Sequence, residues 1–342
     1  MDSSVGKRIA GIQYCRAFAA IAVILYHLGT TFTALQQKSV LTFIFKHGHL
    51  GVDFFFVLSG FIIYRAHFKD FGIREKAILY AKKRFFRIYP IFFIIVTTKL
   101  VILFLLGIEL KEEQKSIDYF VSSFFLLPIE GQFPLLSVSW TLCHEVTFYL
   151  FFMLSMLAGK KFFVFSTLIW TLIIVFYNLN HIESNFLTNH LFSPYNIEFI
   201  VGICLALVHE KKFKAPKLLF LLLAATLILI SINMKHPLFL RLTLGGAFGI
   251  LILFSINIPH FSSSISKITR KVFMVTGNAS YSIYLIHTLI ITATYKFLIG
   301  IFDLNLIGFI AFFASWAGGV LLWKFIEDPL LQFSKKRFIL NP

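Results

Sequence analysis

Residues 11–32 read GIQYCRAFAAIAVILYHLGTTF. Between Arg16 and His27 only the Tyr26 hydroxyl interrupts an apolar run. About 20 apolar residues in a helix cross the hydrocarbon core of a bilayer. This stretch therefore decides the fold class, a membrane-spanning α-helix that carries two ionisable side chains where lipid offers them no solvation. At 100° per residue, eleven residues make three turns plus about 20°, so Arg16 and His27 share a face roughly 16 Å apart along the axis. Lys7 and Arg8 precede the run, and the small residues Ala17 and Ala19 lie inside it rather than after it. That pattern fits an uncleaved signal-anchor.

The rest of the chain repeats the theme. Its 342 residues are 58% hydrophobic and only 14% charged, with mean hydropathy +0.82, whereas a soluble domain is nearer half apolar and a quarter charged. Apolar blocks predict ten spans, near 11–32, 50–64, 88–107, 139–157, 162–178, 195–209, 217–234, 238–257, 278–299 and 305–325. The polar stretches 64–87 and 107–139 are too short and too aperiodic for a core of their own. Residues 1–342 are thus expected to form one all-α, polytopic membrane domain without a separate soluble domain.

A net charge of +16 on a soluble protein points to nucleic acid. Here it reads as topology, because cytoplasmic loops collect lysine and arginine. With ten spans and both termini cytoplasmic, 22 of the 32 basic residues fall on inside segments and eight on outside ones. The expected partner is membrane lipid and not nucleic acid. Cys15, Cys143 and Cys204 are odd in number and lie in apolar segments, so no disulfide framework is implied.

Ionisable groups inside a membrane are costly and mark functional sites. GVDFFFVLSGF (51–61) places Asp53 at the outer end of the second span, at a depth similar to His27, where a carboxylate can orient an imidazole; capping its own helix is the competing role. Ser59 and Gly60 in the same block permit close backbone approach. KKRFFRIYP (82–90) puts Arg84 and Arg87 on one helix face at the mouth of the third span, where guanidinium forks suit phosphate oxygens or anionic headgroups; Pro90 suits that span's first turn. SVSWTLCHEVTFYLFF (137–152) brings His144 and Glu145 into the fourth span. HEVTF lacks the second histidine of HExxH, and His47-Gly-His49 has too few companions, so no metal is expected. GNASYSIYLIH (277–287) sets Tyr284 and His287 one turn apart. Sorted by depth, Arg16, Arg84, Arg87 and Tyr284 lie toward the cytoplasm and His27, Asp53 and Glu145 toward the outside, with His287 between. That order suits a phosphorylated donor entering from inside and a product outside.

These blocks, taken in order, resemble the membrane acyltransferase-3 family, most closely its exopolysaccharide-production branch. IQYCRAFAAIAVILYH resembles the arginine–ten–histidine motif. GVDFFFVLSGF, RFFRIYP, SWTLCHEVTFYLFF (with Trp140 and Glu145), SYSIYLIH and WKFIEDPL (with Glu327 and Pro329) resemble five further blocks. Cys143-His144 departs from the expected polar–aromatic pair. The resemblance implies transfer of an acyl group, typically acetyl from acetyl-CoA, to a hydroxyl of an extracytoplasmic polysaccharide or lipid-linked saccharide. It places the chain in the bacterial cytoplasmic (inner) membrane, in company with polysaccharide export machinery. Acyl-CoA is then a substrate, and no resident cofactor is expected. In that frame His27 is the general base or a transient acyl carrier, with Glu145 or Asp53 orienting it. Arg16 binds the donor or stabilises charge at the thioester carbonyl, and Arg84, Arg87, Tyr284 and His287 complete the donor side. A second class stays open: intramembrane His, Glu and Arg also serve proton relays, as in a transporter or flippase-like carrier of a lipid-linked or acylated saccharide.

Overall fold

The computed structural model describes residues 3–35, 45–180, 182, 185–209, 217–257 and 267–339. Among them the architecture is all helical: α1 Ser3–Ala34, α2 Gly51–His67, α3 Arg74–Leu105, α4 Ile117–Phe125, α5 Trp140–Ala158, α6 Lys160–Leu179, α7 Phe186–Leu191, α8 Asn196–His209, α9 Lys217–Ile232, α10 Pro237–Asn257, α11 Lys267–Asn278, α12 Ser280–Leu298, α13 Leu304–Leu322 and α14 Asp328–Ser334. A π-helical turn, Trp323–Glu327, joins the last two. Eight segments among the described residues are long and apolar enough to cross a bilayer, which makes the chain a polytopic membrane protein. Helices stand at all ten expected spans, but two fall short of that measure. The apolar part of α9, Leu218–Ile232, is short, and α12 is diluted by serine, tyrosine, threonine and His287.

Two boundaries differ from expectation for physical reasons. The third span starts at Arg74, not near 88, so Pro90 lies inside α3 rather than in its first turn. The basic segment is amphipathic: Ala77 and Tyr80 are buried while Lys82 and Lys83 are exposed, so charge on one face does not end the helix. Residues 267–277, outside the ten expected spans, belong to α11, whose Phe273 packs 4.9 Å from the Phe18 ring of α1.

The chain divides into two compact units. Met1–Phe55 with Ile252–Leu330 forms the first. Its core is a seam of α1, α12 and α13: Ala20, Ile24, Leu28 and Phe32 meet Ala279, Ile283, Ile291, Tyr295, Ile307 and Ala311. The α1 and α12 members recur every fourth residue, the spacing of one helix face. His287 occupies the α12 position between Ile283 and Ile291 in that row. Asp303 starts α13 by accepting from the backbone N–H groups of Asn305 and Leu306, the standard use of an N-cap carboxylate.

Phe56–Leu251 with the C-terminal residues from Leu331 forms the second unit. Aromatic rings fill it: Phe148 stacks on Phe199 at 4.5 Å, and Tyr80 sits 5.4 Å from Phe152. The expected close approach at Gly60 is there. A Cβ on Gly60 would stand 2.0 Å from the Phe199 carbonyl oxygen, and one on Gly202 would stand 2.1 Å from that of Val57. Glycine at both positions lets α2 and α8 touch backbone to backbone, as small residues do between membrane helices.

Candidate functional site

The shared face predicted for Arg16 and His27 meets α12. Arg16 donates from Nε and Nη2 to Ser280 Oγ at 3.2 and 2.8 Å. The His27 and His287 ring centroids lie 5.0 Å apart. The contacts advance along both helices together, so α1 and α12 run parallel.

His287 is fully buried. Its Nδ1 lies 2.7 Å from the Tyr284 carbonyl oxygen and 3.2 Å from that of Ile283. A carbonyl oxygen only accepts, so Nδ1 carries the hydrogen and, in the neutral ring, Nε2 presents a bare lone pair. That Nε2 is buried without a hydrogen-bond partner. The arrangement is that of a base with its tautomer fixed by the backbone. Tyr284 lies 5.8 Å from the His287 ring. Tyr26 packs against His27 and His49, each at 5.0 Å between ring centroids. Two residues beyond Ser280, Ser282 donates to Glu327 Oε2 at 2.5 Å, and both are buried. The sequence reading gave neither Ser280 nor Ser282 a role. The signal was there in serines at i and i+2 ahead of Tyr284 and His287, but nothing local names a partner 45 residues away.

Asp53 is buried on the first turn of α2, but not level with His27. Gly48 backs onto Ala22 and Tyr26 of α1, and Gly51 onto Ala19 and Val23. Continued antiparallel, this register sets Asp53 about 12 Å below His27 along the axis and nearer the level of Arg16. Equal depth is therefore corrected: the glycines slide the two helices together at Ala19–Tyr26, before the helical turn that bears Asp53.

Glu145 belongs to the second unit. Its Oε1 accepts from Tyr149, one turn along α5, and from Ser59 of α2 at 3.2 Å. Arg84 lies over two rings, 5.6 Å from Tyr80 and 5.3 Å from Tyr149. Arg87 follows one turn later on α3, half-buried. Tyr80 and Tyr149 were absent from the sequence reading, although Tyr80–Arg84 and Glu145–Tyr149 are both i, i+4 pairs that a helix brings together. His144 is buried and hydrogen-bonded within the second unit. Its Nδ1 meets Asn196 Oδ1 at 3.0 Å, and its ring stacks on His190 at 4.1 Å. Among the described residues no cluster of three His, Cys, Asp or Glu side chains could hold a metal ion.

Comparison with known proteins adds a lineage to this geometry. The O-acetyltransferase OatA of Staphylococcus aureus strain NCTC 8325 / PS 47 is 29% identical over 158 residues, 43% of this chain and 24% of its own length. OatA of strain COL matches to the same extent. The chain thus spans about a quarter of the length of these curated relatives. No solved structure matches it. A family model described as an acyltransferase domain matches residues 9–324, and with that span the chain belongs to the acyltransferase-3 family.

Proposed function

We propose that this protein is a membrane O-acyltransferase that moves an acyl group, most simply acetyl, from acyl-CoA to a hydroxyl of an exported or surface polysaccharide, or of its lipid-linked precursor. Family membership and the partial likeness to an O-acetyltransferase support the class of chemistry. The observation that carries the residue-level reading is the His27–His287 pair, with a bare, buried Nε2 on a ring whose other nitrogen is held by backbone carbonyls. Acyl transfer to an alcohol needs a group that takes the hydroxyl proton as the oxygen attacks the thioester carbon, and a neutral imidazole does this near physiological pH. The attack forms the ester C–O bond and breaks the C–S bond; the proton lost by the alcohol balances the one gained by the departing thiolate. His287 becomes the first candidate for base, with His27 beside it as proton partner or acyl carrier. Arg16, held by Ser280, is the donor-side cation of the same unit. Arg84 and Arg87 are assigned to donor phosphates and Tyr284 to the donor side.

We place the protein in the bacterial cytoplasmic membrane with both termini inside, beside polysaccharide export machinery. Purified protein in lipid nanodiscs, given radiolabelled acetyl-CoA and glycan, is expected to release CoA thiol and label the glycan. Mass spectrometry of surface glycan from wild-type and deletion strains then names the acceptor. Counter-flow of a saccharide without thioester turnover would replace this reading with the carrier.

A further inference from the structure

The second unit holds a pair of buried donors that no described residue satisfies. Tyr80 is 1% exposed, and its hydroxyl has no hydrogen-bond partner. Arg84, one turn further along α3, has its Nε buried and equally without a partner. Buried N–H and O–H groups are paired in the great majority of cases, and each exception calls for an explanation. A phenylalanine at position 80 would fill the same ring site between His67, Phe152, Tyr149 and Arg84 and bury no orphaned hydroxyl.

The surroundings specify what would satisfy these donors. The nearby carboxylate of Glu145 accepts from Tyr149 and Ser59 and from neither the Tyr80 hydroxyl nor Arg84 Nε. Arg84 lies over the faces of Tyr80 and Tyr149, contacts that favour its guanidinium staying beside both rings. One O–H and one N–H on adjacent turns, backed by a permanent positive charge, suit an electron-rich oxygen. The Arg84 guanidinium repels a cation and cannot accept, and with it in place the Tyr80 hydroxyl, which can donate or accept, is set to donate to the same oxygen.

We propose that Tyr80, together with Arg84 Nε, is a binding residue for an acceptor oxygen of the acyl donor, either the thioester carbonyl or a phosphoryl group of the CoA moiety. This rests on the acyltransferase reading above and adds a tyrosine that no motif in the chain singles out.

The test is Tyr80→Phe, which keeps the ring and removes only the hydroxyl, with Tyr149→Phe as a contrast. Binding of CoA and of acetyl-CoA is measured on purified protein in nanodiscs, alongside thiol release and thermal unfolding. The expected result is a melting temperature unchanged or raised in Tyr80→Phe, while acetyl-CoA turnover falls by roughly tenfold to a hundredfold, the scale of losing one preorganised donor to a reacting oxygen. Tyr149→Phe, which strips a donor from Glu145, is expected to lower the melting temperature instead. A Tyr80→Phe defect confined to acetyl-CoA turnover identifies the carbonyl oxygen; weaker binding of CoA itself identifies a phosphoryl oxygen. Unchanged binding and turnover, or loss of turnover only in step with loss of folding, overturns the assignment while leaving the acyltransferase reading intact. Wild-type protein that binds neither CoA nor acetyl-CoA overturns both.

Discussion

His27 and His287 face each other from parallel helices, 5.0 Å between ring centroids, in a seam otherwise built from alanine, isoleucine, leucine and aromatic residues. Packing alone would fill the α12 row with another isoleucine. A histidine whose Nε2 is buried and unpaired costs stability that an aliphatic residue would not. His287→Leu is therefore expected to leave thermal stability unchanged or raise it, by up to about 1–3 kcal/mol, the desolvation penalty of one unsatisfied buried group. Acyl transfer should fall ~10²–10⁴-fold, the usual contribution of a general base. Thermal unfolding and thiol release on one preparation decide the matter, and a Leu variant that keeps its turnover removes His287 from the chemistry.

If the two imidazoles act as one unit, their losses do not add. His27→Gln and His287→Gln should each abolish most turnover, with the double variant little worse than either single one. Multiplying defects would mean that the rings serve separate steps. Purified variants assayed at saturating donor separate these outcomes.

Ser280 holds Arg16 by accepting from two of its guanidinium nitrogens. Ser280→Ala should cost only about 1 kcal/mol in stability but raise KM for the donor, since the arginine stays charged and loses its aim. Arg16→Lys should be worse, because an ammonium cannot reproduce the forked contact. Steady-state kinetics with acetyl-CoA varied distinguishes a KM effect from a kcat effect.

The physics of these sites explains how far the sequence could be read. Arg16 and His27 were legible as one helix face because helical spacing is a local rule; that both meet α12 is a tertiary fact. The ten helical segments were legible because the bilayer sets their length. The start of α3 was not: the apolar block places the third span near residue 88, and only burial of Ala77 and Tyr80 shows the helix running back to Arg74. Tertiary partners were not legible either. His144 with Asn196, 52 residues apart, depends on the approach of α5 and α8, which no spacing in either segment encodes. Asp53 was placed level with His27 because a hairpin was assumed symmetric, whereas Gly48 and Gly51 set its register.

Glu327 is 1% exposed and accepts from Ser282 at 2.5 Å. A hydrogen bond to a buried carboxylate is worth more than a neutral one, about 1.5–3 kcal/mol. Ser282→Ala is expected to cost that much, and Glu327→Gln less, because the amide oxygen still accepts from the serine. Chemical or thermal unfolding in one detergent gives the ranking; a Gln variant less stable than the Ala variant would show that the charge, not the hydrogen bond, holds this end of α12 to the π-helical turn.

Gly60 and Gly202 offer the sharpest packing test. Alanine at Gly60 would drive its Cβ to 2.0 Å from the Phe199 carbonyl oxygen, and alanine at Gly202 to 2.1 Å from that of Val57. Backbone cannot yield as a side chain can, so each helix must move, and overpacking of this kind costs about 1–3 kcal/mol or more. Gly246 is the control: its Cβ would meet only the Leu227 Cδ1 at 3.7 Å, an ordinary contact. There the gain in helix propensity is left alone, and alanine should stabilise by roughly 0.5–1 kcal/mol. All three are one-methyl changes within apolar membrane helices, so hydrophobicity predicts the same small effect for each. Unfolding measurements that separate Gly246→Ala from the other two therefore report the backbone contact of α2 and α8 itself, and equal behaviour of the three would mean that those helices do not touch where Gly60 and Gly202 place them.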